Sequence, residues 1–240
     1  MPSKRLDKII ADTGLYSRSE ARALIKNGRV SADVQTVKNP AEQIDPEHSI
    51  LMVDGAPLEY RRFTYLMMNK PIGCISSTAD RSNKTVIDLL DAKYTKLGLF
   101  PAGRLDKDAT GLLLLTNDGE LAHKITSPSN RVGKRYLITI DGVVSEREIK
   151  AVSEGLVLKD GTKCLPAILE QKPAGVFVTV FEGKYHQVKR MMAALGKPVL
   201  ALKRVSIGGL VLDEKLKPGE YCEISDEISL ILDDKVSKRV

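Results

Sequence analysis

Apolar positions near the start of the chain repeat with the spacing of an α-helix. Leu6, Ile9 and Ile10 would lie on one face of a short helix, and Gly14 is placed to end it. Residues 17–28 repeat this arrangement, beginning with an S-x-x-E capping box and ending at a glycine. The pattern predicts a small helical module at the start of the chain.

From about residue 62 the pattern changes to short runs typical of β-strands, separated by segments with helical spacing. The predicted strands are Tyr65–Met68, Leu112–Leu115, Tyr136–Ile140, Val176–Phe181, Val205–Leu212 and Tyr221–Ile224. The predicted helices are Thr85–Asp91, Glu120–Ile125, Ser145–Gly155 and Tyr185–Leu195. Because strands and helices do not alternate regularly, the expected fold class is α+β with a mostly antiparallel sheet.

The charge changes abruptly within the first 60 residues. Residues 1–38 carry a net charge of +4, whereas residues 39–60 carry −5 and contain the turn-forming pairs Asn-Pro and Asp-Gly. We therefore predict a small basic module with a linker over 1–60, a larger domain over 61–232 and a polar tail over 233–240. The larger part is long enough to bury its own core.

Composition excludes several classes of protein. The 240 residues are 42% hydrophobic and 28% charged, as in a globular chain, and no apolar run approaches the roughly 18 residues of a membrane span. Three cysteines and three histidines, all widely separated, suggest neither a disulfide framework nor a metal site. We expect a cytoplasmic protein with no metal and no membrane partner. The net charge of +6 favours a polyanionic partner.

The second predicted helix carries a basic stripe, in which Arg18, Arg22 and Lys26 recur every four residues and Arg29 follows. Such a stripe is most often a solvated helix face. It lacks acidic partners four residues away on its own helix, however, and this favours phosphate binding. The patterns R-L-D, S-R-x-x-A and I-x-x-G-x-V within 3–50 resemble the S-four type RNA-binding domain. The resemblance implies RNA binding by the stripe and by Arg5.

The most unusual segment of the chain is GRLDKDATGLLLLTNDG, residues 103–119. A turn precedes its Arg and Asp, and a buried strand and the start of a helix follow them. Asp106 would therefore lie on a loop that a rigid element holds in place, where catalytic residues concentrate. By spacing alone, an ordinary turn aspartate is the more frequent interpretation.

Three further segments extend this pattern: MNKPIGCISS at 68–77, GKRYLITI at 133–140 and FEGKYHQVKRMMAALG at 181–196. Together with 103–119 they resemble, in order, the pseudouridine synthases that act on small-subunit ribosomal RNA. The resemblance implies a central antiparallel sheet with a cleft for RNA. It also implies isomerisation of uridine without a cofactor: the N1–C1′ bond breaks, the uracil turns, and C5 bonds to C1′.

The resemblance assigns roles to residues at the matching positions. Asp106 would be the catalytic carboxylate, Tyr136 would lie against the extruded base, and Lys189 would pair with Asp106. Arg104 would lie near the RNA backbone. Further RNA-contacting side chains are expected at Lys70, His186 and Gln187.

Helical geometry is consistent with the role of Lys189. This residue flanks the apolar stripe of its helix on the side of His186, whereas Arg190 points away. A lysine in such a place is usually a surface residue whose stem covers apolar neighbours. As a cation within about 4–6 Å of Asp106, it would favour the ionised carboxylate in a partly desolvated cleft. Asp108 is expected to be structural or to face solvent.

Two alternatives to this function stay open: a synthase acting on large-subunit ribosomal RNA, and a non-enzymatic RNA-binding or ribosome-assembly factor. A pure binding protein needs no carboxylate in a basic cleft, so Asp106 with Tyr136 and Lys189 disfavours the second. We expect a monomer whose partner is ribosomal RNA. The sequence does not distinguish attack of Asp106 on C1′ from removal of the 2′ proton.

Overall fold

The computed structural model describes residues 3–225 together with Ile228 and Ile231, and it divides into two compact units. The first comprises Met1–Thr64 and Leu90–Leu99, and the second comprises Tyr65–Leu89 and Phe100–Val240. Leu90–Leu99 thus belongs to the first unit, although the sequence suggested the larger domain. The predicted polar tail, 233–240, lies outside the described residues. No described helix is long and apolar enough to cross a membrane.

The first unit combines short helices and strands around one core. Its elements are β1 (Lys4–Arg5), α1 (Leu6–Asp12), α2 (Arg18–Lys26), β2 (Val30–Ala32), β3 (Gln35–Thr36), β4 (Gln43–Ile44), β5 (Leu51–Val53), β6 (Ala56–Pro57) and α3 (Ala92–Thr95). β1 pairs with β4, and the order β3-β2-β5-β6 makes an antiparallel sheet. Both predicted helices are confirmed, and the capping box of Ser17 and Glu20 is formed.

Residues 39–60 are part of this folded unit. Leu51, Val53 and Leu58 are buried in the same core as Leu6 and Ile25. The strands in this stretch are only two or three residues long, which is too short for an alternating pattern to be visible. The turns between them dominate the composition.

The second unit is built on one mixed sheet. Its elements are β7 (Tyr65–Lys70), a 3₁₀ turn (Ile87–Leu89), β8 (Phe100–Pro101), β9 (Thr110–Thr116), α4 (Gly119–Thr126), a 3₁₀ turn (Pro128–Asn130), β10 (Lys134–Thr139), α5 (Glu146–Glu154), β11 (Ile168–Lys172), β12 (Gly175–Val180), α6 (Gln187–Ala194), β13 (Ala201–Ile207), β14 (Leu210–Val211) and β15 (Tyr221–Glu223). The strand order is β11-β12-β10-β13-β9-β7-β15, with β14 on β13 and β8 on β9. Among these described strands β9 and β13 are parallel and the other pairs antiparallel, so the α+β prediction is confirmed.

Two predicted elements differ from the structure. The single strand expected over Val205–Leu212 is a hairpin of β13 and β14, because Gly208, with φ of +55°, turns the chain back. The helix expected over Thr85–Asp91 is only a 3₁₀ turn. There the Asp88 carboxylate accepts hydrogen bonds from the N–H and hydroxyl of Thr85, at 2.8 and 2.9 Å, and closes a local turn.

Strand β9 anchors the core of the second unit. Leu112 and Leu114 pack with Leu121 and Ile125 of α4, and Leu113 is equally buried. Since both faces of β9 are covered, the strand gives a rigid support to the loop that precedes it. That loop carries the candidate catalytic aspartate.

Candidate active site

The loop between β8 and β9 is held by buried hydrogen bonds on either side of Asp106. The hydroxyl of Ser76 donates to the carbonyl oxygen of Leu105 and accepts from its N–H, both at 3.0 Å. The carbonyl oxygens of Asp106 and Ala109 accept from Lys70 Nζ at 3.0 and 2.9 Å. These bonds fix the backbone from which the carboxylate projects.

Lys70 is buried and does not reach a surface where RNA could bind, so its predicted RNA contact was wrong. Its side chain has no exposed surface, and Nζ donates to the carbonyl oxygen of Pro71 as well, at 3.0 Å. Burial lowers the pKa of Lys70, and the surrounding carbonyl oxygens satisfy the ammonium group. Lys70 is a positioning residue, as is Ser76, which the motif alone did not single out.

The carboxylate of Asp106 faces two side chains from the start of α6. Lys189 Nζ lies 3.3 Å from Oδ2, and His186 Nε2 lies 3.5 Å from Oδ1. The Asp106 side chain is 27% exposed, so the carboxylate is partly desolvated but accessible. The structure places at Asp106 the two residues, His186 and Lys189, that helical spacing put on one side. Arg190 instead contacts Asp160, as its predicted direction requires.

Lys189 is shared between two carboxylates. Its Nζ donates to Asp108 Oδ1 at 2.6 Å, which is closer than its contact with Asp106. Burial alone would lower the pKa of Lys189, but the hydrogen bond to Asp108 and the charge of Asp106 outweigh burial, and the pKa is raised. The same hydrogen bond lowers the pKa of Asp108. Asp108 faces solvent, as expected, with 72% of its side chain exposed.

Gln187 is buried and both polar atoms of its side chain are hydrogen-bonded within the protein, which contradicts its predicted contact with RNA. Its side-chain oxygen accepts from the N–H of Lys184 at 3.0 Å, and its amide donates to Glu182 Oε1 at 2.9 Å. Glu182 Oε1 also accepts from the N–H of Leu165 at 2.8 Å. Gln187 therefore holds the turn that leads into α6 and sets the position of His186, which lies next to it at the left-handed φ of +48°.

Tyr136 is buried on β10, where it pairs with Val178 of β12 and Arg204 of β13. Arg204 connects this strand to the loop that carries Asp106, since its Nη1 donates to the carbonyl oxygen of Arg104 at 3.4 Å. Its Nε donates to the carbonyl oxygen of Leu112 at 2.7 Å. An arginine inside a strand pattern carries no obvious signal, and the sequence did not mark it. The Arg104 side chain is exposed beside Asp106.

In the first unit, three arginines surround the carboxylate of Asp7. Both Asp7 oxygens accept from Arg5, each at 3.1 Å. Nε of Arg18 and Nε of Arg22 lie 3.4 and 2.9 Å from Oδ2. The stripe therefore has an acidic partner, supplied by α1 and invisible to a search along α2 alone. About half of the Arg18 and Arg22 side chains stays exposed.

The rest of the stripe is less constrained. Lys26 is exposed at the end of α2, and Arg29 pairs with the exposed carboxylate of Asp54, at 2.6 Å for the Nε contact. Five basic side chains against two carboxylates leave this group positively charged. Over the described chain, no group of three or more His, Cys, Asp or Glu side chains is placed to hold a metal ion.

Family models match both units. The model described as RNA pseudouridylate synthase matches residues 64–194, which include Asp106, Tyr136 and Lys189. The S4 domain model matches residues 4–50. A crystal structure of a pseudouridylate synthase superposes with a TM-score of 0.66 at 40% identity, covering 95% of this chain and all of the other.

Individual relatives agree with these matches over nearly the whole chain. The uncharacterized RNA pseudouridine synthase YtzG of Bacillus subtilis is 44% identical over 228 residues, covering 93% of this chain and 95% of that protein. The ribosomal small subunit pseudouridine synthase A of Escherichia coli is 43% identical over 228 residues, covering 93% and 97%. These matches include the loop of Asp106 with its partner Lys189, and they include the S4 domain at the start of the chain. The chain belongs to the RNA pseudouridylate synthase family, whose members are isomerases acting on RNA.

Proposed function

We propose that this enzyme converts one uridine of small-subunit ribosomal RNA to pseudouridine. The observation that carries the proposal is the Asp106 carboxylate, fixed on its loop and paired with Lys189 at 3.3 Å within the matched synthase domain. The named Escherichia coli relative, similar along nearly its whole length, supports the small ribosomal subunit as the source of the substrate.

The reaction needs a nucleotide extruded from its stack, because C1′ and both faces of the base are otherwise inaccessible. In our proposal Asp106 acts at the sugar, either by attacking C1′ or by taking the 2′ proton. Lys189 places a positive charge beside one oxygen of the carboxylate, and His186 lies beside the other. The ring of Tyr136 offers a flat surface with few directional hydrogen bonds, on which the freed uracil can turn.

The first unit supplies binding to the RNA backbone in this proposal. The half-exposed Arg18 and Arg22, with Arg5, Lys26 and Arg29, form a positive surface suited to phosphates. We further propose that the protein acts as a monomer in the cytoplasm, since one chain contains both the binding and the catalytic unit. The mass of the protein in solution, alone and with RNA, tests the monomer.

Pseudouridine mapping of total RNA from cells with and without this protein tests the proposal. We expect one site to disappear from small-subunit ribosomal RNA, to return with the wild-type chain, and to stay absent with Asp106→Asn. Loss of a site in large-subunit RNA would contradict the proposed target. Identical maps in all four strains would contradict the proposed function.

A further inference from the structure

Two buried cations lie beside Tyr136 and have unpartnered polar atoms. Lys134 is 7% exposed and Arg204 is 3% exposed. Within the part of the chain that the structure describes, Lys134 Nζ and Arg204 Nη2 have no hydrogen-bond partner. Buried charges are normally paired, because an unpaired one costs free energy of folding. The two unpartnered nitrogens therefore point to a ligand that binds them from outside the protein.

The strand register places both cations on the face of the sheet that carries Tyr136. Lys134 and Tyr136 are two residues apart on β10, so their side chains share a face. Arg204 is directly opposite Tyr136 on β13. A register shift between Arg135 and Tyr136 leaves Lys134 opposite Ile207, which keeps the two cations near each other.

Arg204 is close to the catalytic loop. Its Nη1 reaches the carbonyl oxygen of Arg104, two residues before Asp106, at 3.4 Å. Gly111 lets the backbone of Arg204 approach β9 closely, since a Cβ at Gly111 would lie 2.2 Å from the carbonyl oxygen of Arg204. The unpartnered Nη2 belongs to the same planar guanidinium group, so it also lies close to the loop that carries Asp106.

We propose that Lys134 and Arg204 hold the negative charge of the uracil ring while the ring is detached from the sugar. When the N1–C1′ bond breaks, its electron pair stays on the ring, and the charge is shared by N1 and the carbonyl oxygens. C1′ then bonds to Asp106, or C1′ and C2′ form a double bond as Asp106 takes the 2′ proton. In either case the ring has one negative charge until its C5 bonds to C1′, as the bond from C1′ to Asp106 breaks or Asp106 returns the proton to C2′. The ring is then neutral, and it loses the proton on C5 and gains one on N1.

A base fits this site better than a phosphate does. Phosphate contacts in RNA complexes come mainly from exposed basic side chains, whereas these two are almost fully covered and share a sheet face with Tyr136. A flipped base is the part of RNA that enters such a covered pocket. Fixed charges directed at the developing anion in a desolvated site are an efficient means of catalysis.

The inference rests on the proposed roles of Asp106 and Tyr136 and is tested with the full-length protein. Single-turnover rates are measured at saturating enzyme on an RNA that the wild type modifies. Lys134→Met should lower the rate by about a hundredfold or more and leave RNA affinity unchanged. Lys203→Met, which removes the same charge from an exposed position on β13, should stay within twofold. An unchanged rate, or weaker RNA binding with an unchanged saturating rate, would overturn the inference.

The pH dependence gives a second test. Burial, together with repulsion from Arg204, lowers the pKa of Lys134 to about 8, and its cross-strand neighbours Val180 and Ile207 are apolar. The single-turnover rate should therefore fall above about pH 8, as Lys134 loses its proton. Lys134→Arg keeps the charge and should move this fall to higher pH. The same alkaline fall in both proteins would contradict the inference.

A melting experiment separates this role from a structural one. If Lys134 lacks a partner, Lys134→Met should raise the melting temperature at pH 7 by a few degrees. The gain should shrink between pH 8 and pH 10.5, where the native lysine loses its charge while the unfolded one still binds its proton. A lower melting temperature would show that Lys134 is structural. If RNA mapping finds a different target, the proposed substrate fails, and the Lys134 comparison proceeds on that RNA.

Discussion

Asp7 and Asp106 each lie among basic side chains, yet the two clusters are built differently. Asp7 is fully covered by three guanidinium groups, which bind both of its oxygens at 2.9 to 3.4 Å. Asp106 is 27% exposed, its contacts with Lys189 and His186 are 3.3 and 3.5 Å, and its cation is shared with Asp108. One carboxylate is saturated by its partners, and the other keeps capacity for a substrate.

The difference indicates how the same residue types serve structure in one place and chemistry in another. The Asp7 cluster joins α1 to α2 and arranges cations on a surface. At Asp106 the protein fixes the backbone instead, through Lys70 and Ser76, and leaves the carboxylate incompletely paired. Polar groups that lack part of their hydrogen-bond or charge partners, on a backbone that is held rigidly, are characteristic of functional sites.

The largest effect is expected from Asp106→Asn, which preserves the shape of the side chain and removes its charge. We expect the turnover number to fall by three or more orders of magnitude, because the carboxylate acts in the transition state. RNA affinity and melting temperature should stay nearly the same. Asp108→Asn is the matched control, since it removes a carboxylate from the same loop and the same lysine. Equal losses in both variants would contradict the assignment.

Removing the cation of the site should have a smaller effect. Lys189→Met is expected to lower the turnover number by about ten- to a hundredfold, since Asp106 stays but loses its charged partner. Lys189→Arg should restore most of the activity. The pKa of Asp108, followed by NMR, should rise towards its ordinary value in Lys189→Met, because that hydrogen bond now lowers it. If Lys189→Met retains full activity, the contact with Asp106 is not used.

The pairing of Lys189 with Asp106 was expected from the family resemblance, and the regular geometry of a helix added that His186 lies on the same side as Lys189. Once a helix was expected over 185–195, Lys189 and His186 had to share a side, and the structure places both at Asp106. The long strands and the capped helix starts could also be predicted, because the sequence pattern that indicates each one lies within a few neighbouring residues. The α+β class followed from their order.

The features that could not be predicted from the sequence depend on contacts between residues that are far apart along the chain. Lys70 and Gln187 look like surface residues, but backbone carbonyl oxygens and a buried glutamate satisfy them in the interior. Asp7 meets Arg22 across two helices, at a separation that no single periodicity contains. The short strands of residues 39–60 are stabilised by the core and not by local propensity.

The structural carboxylate should affect stability instead of turnover. Asp7→Asn is expected to destabilise the first unit by about 1–3 kcal/mol, since it weakens charge-assisted hydrogen bonds at a buried site. Hydrogen bonds from Arg5, opposed by burial and reinforced by Arg22 and Arg18, hold the pKa of Asp7 well below its ordinary value. This stabilisation is therefore present at neutral pH and is lost as the pH falls below the ordinary range for aspartate, about 4.

Hydrogen exchange of the amides of Leu24 and Ile25 reports the stability of this unit without requiring a separate fragment. The difference in the exchange rates of these amides between wild type and Asp7→Asn should become smaller as the pH is lowered. Asp54→Asn breaks an exposed ion pair in the same unit and should change the exchange rates little. A pH-independent difference would show that packing, and not the charge of Asp7, stabilises the pairing of α1 with α2.

The smallest effect is expected on the salt dependence of RNA affinity, to which the basic stripe contributes even though two of its arginines already pair with Asp7. Each phosphate contact adds roughly 0.7–0.9 to the slope of log affinity against log salt concentration. Lys26→Ala should therefore reduce the slope by up to about one, whereas Lys150→Ala, an exposed lysine on α5, should not change it. Arg18 and Arg22 each contact Asp7 through Nε, so we expect the remaining nitrogens of both guanidinium groups to bind phosphate as well. The triple change Arg18→Ala, Arg22→Ala, Lys26→Ala should then flatten the slope by about two units. A triple variant that behaves like Lys26→Ala would mean that Asp7 withholds the arginines from RNA, and a wild-type slope would reduce the stripe to a solvated helix face.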